Sequence, residues 1–404
     1  MRILWTLPYL PWPVTSGGKS RQYHLLRSLA ERGHDITLLV QSKVPADAAV
    51  QAALAPHVRE LVVVPRRSLR HPRTLWRAAF GSAPLLATVN GDAPAWTAAF
   101  ERLLDQGPWD VVQIEHSYGF QPFEASLRRR GQPFVLCEHN VESALGAATY
   151  GNWPAWTAPI AAFDQWRARR WERRVLGQAE QVIAVTEPDA AALGRLTRRP
   201  PAVVTNGVDI RGFAAVQPDV NAQQALFVGN YEYAPNVDAV VWLMEAIWPQ
   251  VRQRCPQARL VVCGHAMPQA WAQRWPDMGV EWRGYVDSLP AVQARSSLFV
   301  APLRSGGGSK LKVLEALAAG LAVVTTHQGA SGLDLQDGVH ARIDDSAAGL
   351  VDALVATLSQ PEAAQALGER GRAHVQARYD WSAAAAQWEA VLLAHVAQGR
   401  RGAP

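Results

Sequence analysis

The sequence has little cysteine. Three residues, Cys137, Cys255 and Cys263, are spread over 404 positions, and no two form a CxxC pair. That excludes a disulfide framework, and the odd count fits a reducing cytoplasm. Long apolar runs are missing too. No stretch of 18 apolar residues occurs, so no transmembrane helix is expected. The opening MRILWTLPYLPWPV is apolar but is broken by Pro8, Pro11 and Pro13 and has no small-residue cleavage site. It reads as a first strand and not as a signal peptide. A dominant charge sign is absent: 40 basic against 35 acidic residues give +5. That excludes a nucleic-acid signature and suits an anionic ligand or an anionic membrane surface. The histidines are scattered and Asp344–Asp345 is an ordinary acidic pair, so no metal site is expected. Repeats, low-complexity tracts and charged tails are also missing.

What is present is the composition of a well-packed soluble protein, 49% hydrophobic and 19% charged, with length enough for two or three domains. Sixteen tryptophans are many, and composition leaves open whether they are core or line a sugar or lipid site. The apolar pattern alternates strand and helix. In the first half, strands are expected at 2–7, 34–40, 61–65, 109–114, 133–137, 181–185 and 202–205. Helices are expected at 19–32, in pieces over 72–104, at 121–130, 156–177 and 187–196. After Asn206–Gly207 the pattern lapses over 208–224, which reads as a linker. A second series follows, with strands at 225–228, 260–263, 280–282, 298–301, 322–326 and 341–344. Its helices are expected at 236–253, 289–294, 310–319, 347–358, 361–378 and 382–397. Each half should be a parallel sheet with helices on both faces, an α/β class.

The stretch 301–326, APLRSGGGSKLKVLEALAAGLAVVTT, is the most informative. It reads as a strand end, a glycine loop, a helix, a stop at Gly320 and another buried strand. Such a loop leaves several N–H groups pointing one way, an arrangement suited to phosphate. Lys310 and Lys312 add charge, and Glu315 lies three residues after Lys312, on neighbouring helix positions. Amides and lysines would serve a diphosphate and Glu315 would serve ribose hydroxyls. A plain loop–helix corner with a solvated lysine pair is the alternative.

In the first half, SGGKS at 16–20 tempts a P-loop reading, but that motif needs glycine where Pro13 stands. Gly17 and Gly18 read either as a tight turn or as a close approach of backbone to ligand. Glu115, His116, Glu138 and His139 fall just past the carboxyl ends of two successive strands, where open α/β sheets bind ligands. The arginines at 167, 169, 170, 173 and 174 read as a solvated face with Glu172 as a partial partner, or as a contact with an anionic membrane.

Across both halves the chain resembles the family 4 glycosyltransferases, retaining enzymes of the GT-B fold. The matching pieces are Gly17–Gly18, EHN at 138–140, IAVTE at 183–187, TNGVD at 205–209, FVGN at 227–230, PNVDAVVWL at 235–243, GYV at 284–286 and the 302–326 stretch. The resemblance implies two Rossmann-like, doubly wound parallel-sheet domains facing a cleft. Residues 1–207 form the acceptor domain and 225–380 the donor domain, and a terminal helix at 382–400 crosses back onto the first. Two departures stand out. The family's two glutamates are separated by seven residues; the second matches Glu315, but the first falls on Gly307. The arginine expected after the FVG strand is Asn230, and the lysine usual a few residues later is missing.

The resemblance further implies sugar transfer from a nucleotide diphosphate sugar to a glycan, lipid-linked or other glycoconjugate acceptor. No metal or other cofactor is expected, and the location is cytoplasmic, at the inner membrane face if the acceptor is lipid-linked. His139, Lys312 and Glu138 are the expected catalytic residues. His139 positions the donor sugar, and Glu138 or Glu115 stands as a candidate acceptor base. Donor binding is expected at Gly17, Gly18, Asn206, Gly229, Asn230, Arg304, Gly307, Gly308, Ser309, Lys310, Leu311 and Glu315. Arg304, Lys310 and Lys312 are the candidates for neutralising the diphosphate. A sugar-nucleotide epimerase, a phosphorylase, or a non-catalytic sugar-nucleotide-binding protein on the same fold are the alternatives.

Overall fold

Strands and helices alternate through the chain and assemble two separate parallel sheets. The computed structural model describes residues 1–67, 71–91, 93–144, 155–307 and 310–401. Gly308 and Ser309 of the glycine loop therefore lie outside the described residues. Two compact units emerge: 1–205 with 384–404, and 206–383.

The first unit holds β1 (Arg2–Leu7), β2 (Asp35–Ser42), β3 (Glu60–Pro65), β4 (Val111–Glu115), β5 (Val135–Glu138), β6 (Gln181–Ala184) and β7 (Ala202–Val203). Their spatial order is β3-β2-β1-β4-β5-β6-β7. β1, β2, β4 and β5 are buried almost throughout, as continuous apolar runs in a sheet covered on both faces should be. The chain winds outward from β1 to β3 and then returns to place β4 beside β1. That reversal is a topological switch point, the place where such sheets leave a crevice at their carboxyl ends. The Gly17–Glu31 helix, Glu115 and His116 all lie at this reversal.

The second unit repeats the plan with β8 (Gln224–Val228), β9 (Arg259–Cys263), β10 (Val280–Gly284), β11 (Leu298–Ala301), β12 (Ala322–Thr325) and β13 (Arg342–Ile343), ordered β10-β9-β8-β11-β12-β13. Its switch point lies between β8 and β11, so Gly229 and the glycine loop leave the sheet side by side. The core is built from Phe227, Val240, Leu243, Trp248, Leu260, Val300 and Leu354, all wholly buried.

Several elements differ from expectation. Residues 208–224 are built into the second unit and do not act as a free connection. Val208 N–H donates to Tyr379 O at 2.7 Å, Ile210–Phe213 is a helical turn, and Val216 is buried. The helix expected over 236–253 is interrupted by one π turn, Leu243–Ile247, between Ala234–Trp242 and Trp248–Arg254. Pro249 lacks the N–H that a continuous α-helix would use there, and a widened turn absorbs the loss. A helix at Ala48–Leu54, capped by Asp47 Oδ1 accepting from Val50 N–H at 2.8 Å, was not anticipated. Arg167 is no solvated residue: it is buried, pairs with Asp164, and donates to the carbonyls of Ala78 and Gly81 at 2.9 Å. Glu172 is not its partner. Glu172 is buried and accepts from the Ser143 hydroxyl.

The terminal helix, Trp381–Arg401, is anchored in the first unit. Trp388 is fully buried, its ring 5.6 Å from Trp5, and its indole N–H donates to Gln113 Oε1 at 3.1 Å. Glu389 accepts from Arg32 and pairs with His34 at 3.0 Å. Among the described residues no helix is long and apolar enough to cross a membrane.

Candidate active site

Two groups of polar residues gather at the two switch points. In the first unit the centre is Glu115, at the end of β4. Its Oε1 accepts from the Trp5 indole N–H at 2.9 Å and from Gln113 Nε2 at 2.7 Å. Its Oε2 lies 2.9 Å from His139 Nε2. Three N–H groups converging on one carboxylate fix the histidine: Nε2 carries the proton and Nδ1 is the acceptor. That Nδ1 faces Gly18, where a Cβ would stand 3.5 Å away. The same Cβ would meet the Tyr9 hydroxyl at 2.6 Å, so Gly18 is required by a close approach of side chains. Burial lowers the pKa of His139 and the neighbouring Glu115 only partly opposes it, so His139 is neutral near pH 7.

Beside it, His116 adopts φ 63° in the turn after β4 and stacks on Tyr118 with ring centroids 4.7 Å apart. Its Nε2 lies 3.3 Å from the Tyr9 hydroxyl, which also accepts from Gln22 at 3.3 Å. Burial first, then the nearby His139, hold His116 well below the usual histidine range. Glu138 is 0% exposed. Its Oε1 accepts from Ser117 N–H at 2.7 Å, so it props the His116 turn and has no opening toward an acceptor. Burial, then Glu142 and Glu172, raise its pKa well above the carboxylate range. Glu142 is pushed up to about 8 by burial and by Glu172.

In the second unit the glycine loop is folded back on itself. Lys310 Nζ donates to the carbonyls of Gly306 and Gly307 at 3.2 and 3.3 Å, and Gly307 N–H donates to the Tyr233 hydroxyl at 3.2 Å. Gly306 sits at φ 121°, which a side chain would strain. The Leu311–Ala318 helix then starts at Lys310 with no side-chain cap and no acid in its first turn. An uncapped N-terminus keeps its N–H groups available to an anion. In the first turn, Lys312 is half-buried, with Nζ bonded to Asn236 Oδ1 and 4.8 Å from the centre of the Phe227 ring. Burial, then Lys310, bring its pKa down to about 7 against the pull of Glu315. Burial raises Glu315 to about 7 and Lys312 opposes that shift. Both residues are half-buried, and most of the surroundings of their head groups are protein.

The other expected residues fall around this loop with different duties. Leu311 is buried. Gly229 N–H donates to Cys263 O at 3.1 Å, and a Cβ there would press on Phe227, Tyr231 and Asn236. Asn230 caps its own turn, its Oδ1 accepting from Glu232 N–H at 3.0 Å and its carbonyl accepting from Asn236 at 2.7 Å. Asn206 is buried at the start of the unit. Arg304 points away from this role: its guanidinium pairs with Asp238, 3.0 Å from Nε to Oδ2, and lies over Trp242. Gly17 opens the Gly17–Glu31 helix, whose cap is Ser16. Sequence reasoning missed Trp5 and Gln113, which hold Glu115, Tyr9, which holds His116, and Asn236, which holds Lys312. Only Asn236 carried a signal, lying inside the PNVDAVVWL motif.

Comparison with known proteins shows the family and the fold. The family described as Glycosyl transferase 4-like domain matches residues 16–209, and that described as Glycosyl transferases group 1 matches residues 222–360. A phosphatidyl-myo-inositol mannosyltransferase of Mycobacterium tuberculosis is 31% identical over 96% of this chain and 95% of its own. A glycogen synthase of the same organism is 27% identical over 98% of this chain and 95% of its own. The crystal structure of HepE from Anabaena in complex with UDP-glucose superposes with a TM-score of 0.66 at 16% identity, covering 98% of this chain and 100% of that one. The protein is therefore a glycosyltransferase of the GT-B fold, with two parallel-sheet α/β units. Within that class, the chain belongs to the family 4, group 1 glycosyltransferases.

Proposed function

We propose that the chain transfers a sugar from a nucleotide diphosphate sugar to a hydroxyl of a glycan or lipid-linked acceptor, with retention at the anomeric carbon and without a metal ion at the diphosphate. The observation that carries this reading is the uncapped helix start at Lys310–Leu311, with Lys312 in its first turn and Glu315 in the next. As the glycosidic bond loosens, negative charge grows on the departing diphosphate. Preorganised N–H groups and a lysine that gains its proton on meeting that charge answer it where it develops. Glu315 accepts from the ribose hydroxyls. Gly307, standing where the family has a glutamate, hands that carboxylate's work on the donor to backbone N–H groups.

The neutral His139 keeps an acceptor nitrogen beside Gly18, suited to a sugar hydroxyl. Glu138 is too buried to act as acceptor base, so the leaving phosphate takes the acceptor proton. The relatives' names, a glycogen synthase and a phosphatidylinositol mannosyltransferase, support a glycan or lipid-linked acceptor. Peripheral contact with an anionic membrane face is supported by Trp76 (63% exposed) and Phe80 (76% exposed), and by exposed Trp166 with Arg169 and Arg170.

The test is a panel of sugar nucleotides and acceptors, with nucleoside diphosphate release and product anomer read by NMR, with and without EDTA. Retention and EDTA-insensitive nucleoside diphosphate binding are expected. Acceptor-free conversion of the sugar nucleotide would reveal an epimerase, and phosphate-dependent turnover without a nucleotide would reveal a phosphorylase.

A further inference from the structure

His116, Glu138 and Glu142 reach one point from three places: the turn after β4, the end of β5, and the short turn Glu142–Ala144. One ligand atom of each lies within 4.8 Å of the others. His116 Nδ1 and Glu142 Oε1 are 3.8 Å apart. Two atoms in this group are orphaned. His116 is 3% exposed and Glu138 0%, yet His116 Nδ1 and Glu138 Oε2 have no hydrogen-bond partner. Buried polar groups are rarely left so, and each exception needs an explanation.

The orientation of each ligand is fixed by other groups. Tyr9 holds His116 Nε2 and Tyr118 stacks on its ring, which leaves Nδ1 pointing at the carboxylates. Ser117 N–H holds the other oxygen of Glu138. A metal-binding histidine is oriented by its second nitrogen in the same way. Glu172 stands behind as a third carboxylate, and among the described residues no lysine or arginine pairs with Glu138, Glu142 or Glu172. A cavity of about 50 Å³ lies on the Glu142 side of the group, lined also by Ser117, Tyr118, Ser143, Asp164 and Glu172. It has room for an ion and a few waters and not for a sugar.

We propose that His116 Nδ1, Glu138 Oε2 and a Glu142 oxygen bind one divalent cation of the zinc or manganese class, which ties together the loops after β4 and β5. One imidazole with two carboxylates suits those ions better than magnesium. The neighbouring trio Glu115, Cys137 and His139 is a poorer host, because both oxygens of Glu115 are already occupied by N–H groups. The expectation of no metal site came from histidines scattered in sequence. Folding brings His116 beside two glutamates more than twenty positions away. The proposal does not rest on the donor reading, since every ligand belongs to the first unit and the diphosphate groups belong to the second.

The test uses tag-free, full-length protein stripped with EDTA and dialysed. Isothermal titration with Zn²⁺, Mn²⁺ and Mg²⁺ in separate arms should show one site per chain for Zn²⁺ or Mn²⁺, with Mg²⁺ at least about 10-fold weaker. Glu142→Gln and Glu138→Gln should each weaken the site at least about 10-fold. Cys137→Ser should leave it unchanged. Glu142 is the less buried of the two glutamates, so Glu142→Gln keeps the test open if Glu138→Gln misfolds. No stoichiometric site tighter than about 1 mM, unchanged binding in Glu142→Gln, or loss of binding in Cys137→Ser would each overturn the proposal. Nucleoside diphosphate binding, titrated on the same stripped sample, reports the donor reading separately.

Discussion

The two switch points use the same strand–loop–helix construction and arrive at opposite chemistry. In the first unit, hydrogen bonds consume most of the carboxylate oxygens: the Trp5, Gln113 and His139 side chains close on Glu115, and the Ser117 backbone N–H closes on one oxygen of Glu138. What remains unpaired is one acceptor nitrogen on His139, aimed at Gly18, together with His116 Nδ1 and Glu138 Oε2 beside Glu142. In the second unit, backbone does most of the work. Lys310 is spent on folding the loop, and the helix beyond it begins uncapped, with burial lowering Lys312 and raising Glu315 to about 7. On the proposed function, the first would position a hydroxyl-bearing sugar ring and the second would gain charge when the diphosphate arrives.

The largest expected effect tests the second site. Lys312→Met should cut turnover roughly 100-fold or more, about 3 kcal/mol of transition-state stabilisation. A steady-state rate near that of the wild type would break the comparison. Next comes the first site. Glu115→Gln keeps the shape but weakens the acceptor that orients His139, and turnover should fall roughly 10- to 100-fold with nucleoside diphosphate affinity unchanged. A loss of affinity instead would mean that the two sites do not divide the labour.

A smaller effect is read in stability. Glu315 in the folded chain titrates near 7, above its ordinary 4.5. Between those values the folded state holds the proton and the unfolded state releases it. Stability from this group is therefore complete below pH 4.5 and is lost as pH rises to 7. Urea melts at pH 5 and pH 7 should show Glu315→Gln losing about 1–2 kcal/mol less than the wild type over that step, the full linkage being discounted for partial exposure. Equal losses would contradict a buried, proton-holding Glu315. The smallest effect belongs to Arg304. Paired with Asp238 and stacked on Trp242, it should tolerate Arg304→Ala with turnover within about twofold, and a larger loss would place it back at the phosphates.

Much of this architecture can be read from residue order. The alternation of apolar runs locates the sheets, because parallel strands buried on both faces are uniformly apolar and stand out between amphipathic helices. The glycine loop and the Lys312–Glu315 spacing are local, so the donor-side candidates stand out at once. The supports do not. Trp5 meets Glu115 across 110 residues and Lys312 meets Asn236 across 76, and no spacing rule reaches that far. Burial also reverses simple expectations. Arg167 in an arginine-rich helix is a buried anchor and Arg304 is a surface pair, while Glu138 at a strand end is sealed. The π turn before Pro249 and the insertion of 208–224 into the second unit are likewise tertiary outcomes of a local lapse in pattern.

The most direct test is nucleoside diphosphate affinity, titrated calorimetrically for the wild type, Lys312→Met and His139→Ala. At least about a 10-fold loss of affinity is expected in Lys312→Met and none in His139→Ala, although both should be poor in turnover. Wild-type affinity in Lys312→Met, or its loss in His139→Ala, would contradict the assignment of the diphosphate to the uncapped helix start.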